Sequence, residues 1–265
     1  MNGPMSTNTE NNKSYDEWLA SERQFADTAY RTYQDDLGIA PHMWAKYANP
    51  VEKWDFRQVM AREMGDIRGK KVLDFGCGMG EESMYLAKLG AEVTAIDISP
   101  VGIEVAERRS RFNKLPIKTQ VTDCLHSGLP AESFDVVHCL GVIHHIGLEK
   151  GLIELHRMLK RGGRVVLAEH VSISPLIEAL RHRFGSEATS EDEGPVPIKD
   201  LLEVPVKLGF RVNTCFHYAI FYRLRAAFPI LGGPFFQKLD YALLRVLPPL
   251  KRLSAGAVLS LTKER

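Results

Sequence analysis

Cysteine is scarce in this chain, with four residues (Cys77, Cys124, Cys139 and Cys215) and no CxxC spacing among them. That excludes a disulfide framework or a zinc knuckle and predicts reduced thiols. No apolar run approaches the roughly 18 residues of a membrane-spanning helix. The opening stretch MNGPMSTNTENNK lacks the apolar segment of a signal peptide. These absences predict a cytoplasmic chain without a membrane span. An excess of one charge is missing too: 34 Lys and Arg against 33 Asp and Glu leave a net +1, which gives no global electrostatic case for a nucleic-acid partner. There is no internal repeat at a fixed period. What remains, 265 residues with 45% apolar and 25% charged, is an ordinary globular composition long enough to bury a core unaided.

Residues 1–13 are polar and read as a disordered start. From Ser14 to Met64, Tyr and Trp recur at helical spacing (Tyr15, Trp18, Tyr30, Tyr33, Trp44, Tyr47, Trp54), broken by Pro41 and Pro50. Residues 14–69 are therefore expected to be a helical cover or lid. From Lys70 short apolar runs alternate with helical stretches: KVLDF, a helix over 81–89, EVTAID, a helix over 100–113, IKTQVTD, FDVVHCL, a helix over 149–160, and RVVLAEH. Ser99 and Pro100 suit the start of the second of these helices, and Gly90 and Gly162 the ends of the first and last. Such alternation predicts an α/β, Rossmann-like, doubly wound parallel sheet occupying residues 70–265. Residues 174–197 are polar and loop-like, 198–208 look helical, and RVNTCFHY and AGAVLSLT read as closing strands. Between these two strands, residues 218–254 are too long for a hairpin loop and too apolar for a solvated one.

The motif that decides the class is Asp74-Phe75-Gly76-Cys77-Gly78-Met79-Gly80, after a strand and at the start of a helix. Its glycines permit a tight turn and a close backbone approach to a ligand at the helix N-terminus. A dinucleotide fingerprint fails, because the third glycine would fall at Glu81 and Asp74 would face an already anionic pyrophosphate. A carboxylate there suits a cationic ligand such as the amino-acid end and sulfonium of S-adenosylmethionine. Asp97 ends the second strand, where an acid can accept both ribose hydroxyls. Asp123 ends the third, where it can accept from an adenine amino group. Each Asp alone would more often be a turn or cap residue; three at successive strand ends beside a glycine loop are far more specific.

With VLDFGCGMG, VTAIDIS, the VTDC strand end, SFDVVHCLGVIHHI and LKRGGRVVLAEH, residues 70–171 resemble the class I S-adenosylmethionine-dependent methyltransferases, on the branch of the ubiquinone and menaquinone biosynthesis enzymes. The resemblance implies a seven-stranded sheet with its last strand antiparallel and S-adenosylmethionine as cofactor. Carried over by position, it assigns Asp74, Gly76, Cys77, Gly78 and Gly80 to the methionine moiety, Asp97 and Ile98 to ribose and adenine, Asp123 and Cys124 to adenine, and Leu140 to the methionine end.

Methyl transfer from a sulfonium needs positioning and, for a hydroxyl or amine acceptor, a base. His144 and His145 follow the fourth strand, while Glu169 and His170 end the fifth, so these four are the catalytic candidates. The same pair could instead pack the loop, and no metal is expected. Residues 218–254 carry six Lys or Arg and one Asp amid Phe, Leu and Ile, which suits a lipid-linked acceptor, a membrane surface, or packing on the sheet or a second subunit. The expected activity is transfer of a methyl group to O, N or C of a small, largely apolar or lipid-linked acceptor. The competing readings are a regulatory protein that binds the cofactor without turnover, and an RNA methyltransferase. The latter lacks an NPPY-like motif where this chain reads HCLGVIHH.

Overall fold

The structure is a computed structural model that describes residues 14–32, 35–172, 196–218, 230, 233–247, 249–250, 254 and 256–264. The polar start, Tyr33, the stretch 173–195 and much of 218–254 lie outside the described residues.

Three helices precede the sheet: α1 (Tyr15–Arg31), α2 (Pro41–Ala48) and α3 (Phe56–Met64). Each begins where local chemistry favours it. Ser14 and Glu17 form a reciprocal capping box on α1, Pro41 opens α2, and the Asp55 carboxylate accepts the Arg57 and Gln58 N–H groups of α3. Strands β1 (Lys71–Phe75), β2 (Glu92–Asp97), β3 (Lys118–Val121), β4 (Phe134–Leu140) and β5 (Leu159–Ser172) then alternate with α4 (Glu81–Lys88), α5 (Pro100–Asn113), the single turn α6 (Ile143–Ile146) and α7 (Leu148–Met158). A short β6 (Val196–Pro197), a helix over Ile198–Lys207, β7 (Phe210–Tyr218), a helix over Pro234–Val246 and β8 (Gly256–Lys263) complete the chain.

The strands run in the order β3-β2-β1-β4-β5-β8-β7, with β8 antiparallel to both neighbours and the rest parallel. This is the expected seven-stranded sheet with its last strand antiparallel. The two-residue β6, which pairs with the end of β5, was not foreseen. The helix expected over 149–160 stops at Met158, because Leu159 is drawn into pairing with Phe134 of β4; Gly162 therefore lies within β5 rather than ending a helix. Asp123 lies two residues past β3 and caps a 3-10 turn at Cys124–His126.

Side-chain alternation divides the core between the two faces of the sheet. Leu73, Phe75, Val137, Cys139, Val165 and Leu167 meet Leu152, Leu155 and Met158 of α7 on one face. Val72, Val136, Val166 and Val258 meet Val59, Met60 and Met64 of α3 and Tyr85 and Leu86 of α4 on the other. Helix α3 is thus part of the layer that buries the sheet. Helix α1 lies elsewhere, packed against α5.

Candidate active site

The parallel strands end together, and the candidate residues gather at that edge. The turn from β1 to α4 carries Gly76, Gly78 and Gly80, all at positive φ. A Cβ on Gly80 would stand 2.6 Å from the Ala106 side chain of α5, so only glycine allows α4 and α5 to approach this closely. At Gly78 a Cβ would meet the Tyr30 hydroxyl of α1 at 3.0 Å, which places α1 against the loop.

Asp97 organises the loop from the end of β2. Its buried carboxylate accepts the Gly78 N–H at 2.8 Å on one oxygen and the Ser99 N–H at 2.9 Å on the other. Each oxygen keeps a lone pair, as a vicinal diol requires. Burial pushes this carboxyl above its usual range, against the downward pull of the two N–H donors. Asp74 is engaged beneath the loop: one oxygen lies 2.9 Å from His138 Nδ1 and the other accepts the Ser83 hydroxyl. Asp123 accepts the Leu125 N–H at 2.9 Å, the Tyr15 hydroxyl at 2.7 Å and contacts His126 Nδ1 at 2.6 Å. Burial raises its pKa, but these hydrogen bonds outweigh burial and hold it below the usual range. Cys77 and Cys124 are buried, which pushes both thiols up and leaves them unreactive. Leu140 ends β4 half-buried beside the α3 layer.

The four catalytic candidates do come together. Glu169, fully buried near the end of β5, accepts the Val142 and Ile143 N–H groups at 3.0 and 2.8 Å on one oxygen, and its other oxygen lies 2.8 Å from His144 Nδ1. An ionised carboxylate only accepts, so in this pair Nδ1 of His144 is the donor. The His145 ring lies beside the His144 ring, centroids 4.2 Å apart, and His170 meets His144 edge-on at 5.6 Å. His145 Nδ1 lies 3.1 Å from Glu22 Oε2 of α1.

Sequence reasoning missed Glu22, together with most of the contacts of α1. Arg23 Nε donates to the Ile98 carbonyl at 3.1 Å, Ser99 donates to Asp27, and Tyr30 covers Gly78 and Gly102. Only the aromatic residues of this helix carried a signal in the sequence. Glu22 reads as one more polar residue on an amphipathic helix, and its partner is 123 positions away. A part-buried set joining Tyr47 and Arg57 to Glu82 was missed for the same reason.

The residues at this edge suit S-adenosylmethionine: a glycine loop at positive φ, a carboxylate with lone pairs to spare at the end of β2, and histidines after β4 and near the end of β5. Among the described residues no group of three or more His, Cys, Asp or Glu is placed to hold a metal ion.

Comparison with known proteins agrees. Residues 73–167 match the family model described as a methyltransferase domain. The chain is 39% identical over 120 residues to the mitochondrial ubiquinone biosynthesis O-methyltransferase of Schizosaccharomyces pombe, covering 43% of each chain. It is 31% identical over 137 residues to an S-adenosyl-L-methionine-dependent Diels-Alderase of Talaromyces variabilis, covering 49% of this chain and 46% of that one. The alignments thus span less than half the length of these curated relatives. Among solved structures, the geranyl diphosphate C-methyltransferase of Streptomyces coelicolor A3(2) shares the fold with a TM-score of 0.63 at 13% identity, over 93% of this chain and 97% of that one. Residues 73–167 thus match a methyltransferase domain, and this part of the chain is similar in sequence to part of the ubiquinone biosynthesis O-methyltransferases.

Proposed function

We propose that this protein transfers a methyl group from S-adenosylmethionine to a small, largely apolar or lipid-linked acceptor, with oxygen as the acceptor atom. The observation that carries the reading is the pair of carboxylate-anchored histidines at the cofactor edge of the sheet, Glu169 with His144 and Glu22 with His145. The name of the Schizosaccharomyces pombe relative supports oxygen and a ubiquinone-related acceptor.

The cofactor, when bound, supplies an already activated methyl group. The chain's own residues then have three tasks. The glycine loop, with Asp97, Ile98, Asp123, Cys124 and Leu140, holds and orients the donor. Glu169, itself held by the Val142 and Ile143 N–H groups, fixes the His144 ring through its other oxygen. His145, whose side chain is 27% exposed against 10% for His144, faces the acceptor and takes its hydroxyl proton at Nε2. His170, exposed at the end of β5, borders the same edge.

The segment 218–254 supplies the approach for an apolar acceptor. Ile230, Phe235 and Val246 are 75%, 70% and 74% exposed, beside Lys238 and Arg245, a composition suited to a membrane surface. No helix among the described residues is long and apolar enough to cross a membrane. Flotation with anionic liposomes tests this part: the protein should float with the lipid, and failure to float at low salt removes the membrane role.

The activity itself is tested by incubating purified protein with methyl-labelled S-adenosylmethionine and a cellular lipid extract. Label should enter the lipid fraction, and His145→Ala should reduce the rate about 100-fold or more. Cofactor binding with no incorporation into any fraction would favour a regulatory protein instead.

A further inference from the structure

Glu22 sits where an amphipathic helix would ordinarily place an apolar residue. It is 7% exposed, on the inner face of α1, and a buried carboxylate is costly unless something pairs with it. Its Oε2 lies 3.1 Å from His145 Nδ1. The other contacts of α1 go to the cofactor edge: Tyr15 to Asp123, Arg23 to the Ile98 carbonyl, Asp27 to Ser99, and Tyr30 against Gly78 and Gly102. The helix that lies across the cofactor residues therefore also delivers a carboxylate to the histidine edge.

We infer that Glu22 is a positioning residue for methyl transfer, holding the His145 ring with Nδ1–H toward α1 and the basic Nε2 toward the acceptor, so that seating of α1 over the cofactor and readiness of the base are one event. This rests on the methyltransferase reading above. The logic is one of tautomers. A neutral imidazole has one donor and one acceptor nitrogen, and an acceptor-only carboxylate at Nδ1 settles which is which. Glu169 does this for His144 from within the sheet. Glu22 does it for His145 from an element outside the sheet, and the base is set only when that element is in place. Among the described residues, the titratable groups near His145 include Glu22 from α1, His144 from its own turn, and Asp97 from β2, whose carboxyl the His145 charge lowers.

The test is imidazole nitrogen NMR on histidine-labelled protein saturated with S-adenosylhomocysteine, at a pH where the rings are neutral. The wild type should show His145 protonated at Nδ1. Glu22→Ala should lose that preference while S-adenosylhomocysteine affinity stays within about threefold, and Glu22→Gln, whose amide oxygen still accepts, should retain it. Methyl incorporation into the lipid extract should fall roughly tenfold or more in Glu22→Ala and recover in part in Glu22→Gln. An Nε2-protonated His145 in the wild type, or a ring state unchanged in Glu22→Ala, overturns the inference without need of any variant's activity. Wild-type protein that does not bind S-adenosylhomocysteine defeats the methyltransferase reading instead.

Discussion

Single residues in this cleft act through their protonation as much as their position. His138 is wholly buried beneath the glycine loop. Burial opposes its charge, but the hydrogen bond and charge of Asp74 outweigh burial and lift it above the ordinary 6.5. A raised histidine adds stability that is fully present below the unfolded value and is lost as pH rises through the folded one. The stability advantage of wild type over His138→Gln, measured by urea denaturation, should therefore be largest below about pH 6.5 and shrink at higher pH; a gap that grows with pH would contradict the pairing. The sequence placed the motif acids at strand ends and identified the loop, because glycine spacing and strand periodicity are local signals. It could not show that Asp74 is committed to His138 and Ser83, since those contacts depend on strand register and on the depth of α4.

Among the elements, α1 and α3 divide the N-terminal segment between two tasks. Helix α3 is structural: Met60 is fully buried against the sheet. Met60→Ala should cost about 2–5 kcal/mol in chemical denaturation, with little effect on cofactor affinity once folded. Helix α1 is tied down mainly by polar contacts to cofactor-edge residues, so its stability should follow occupancy of the cleft. Arg23 and Arg31 are exposed on it and offer sites for trypsin. Saturating S-adenosylhomocysteine should slow cleavage there several-fold, and an unchanged rate would uncouple α1 from the cofactor. In the sequence both helices share one helical pattern of aromatics. What separates them is which sheet surface each one meets, and amphipathic spacing does not encode that.

For the whole molecule, the parallel sheet brings five strand ends to one edge. Helix α1, from the start of the chain, lies over that edge, while the helix Pro234–Val246, from near its end, packs against β7 and brings Lys238 to 5.3 Å from the Trp54 ring centroid. The donor side is legible from motifs because a local loop and strand ends build it, whereas the contacts of α1 join residues far apart in sequence and leave no local signal. The central claim is that the glycine loop and Asp97 hold S-adenosylmethionine, and calorimetric titration of the cofactor into wild type and Asp97→Ala tests it most directly. Wild type should bind, and the variant should lose on the order of 1–3 kcal/mol as the ribose hydroxyls lose their acceptor. Equal affinity in the two proteins, or a preference of the wild type for NAD over S-adenosylmethionine, would contradict the account.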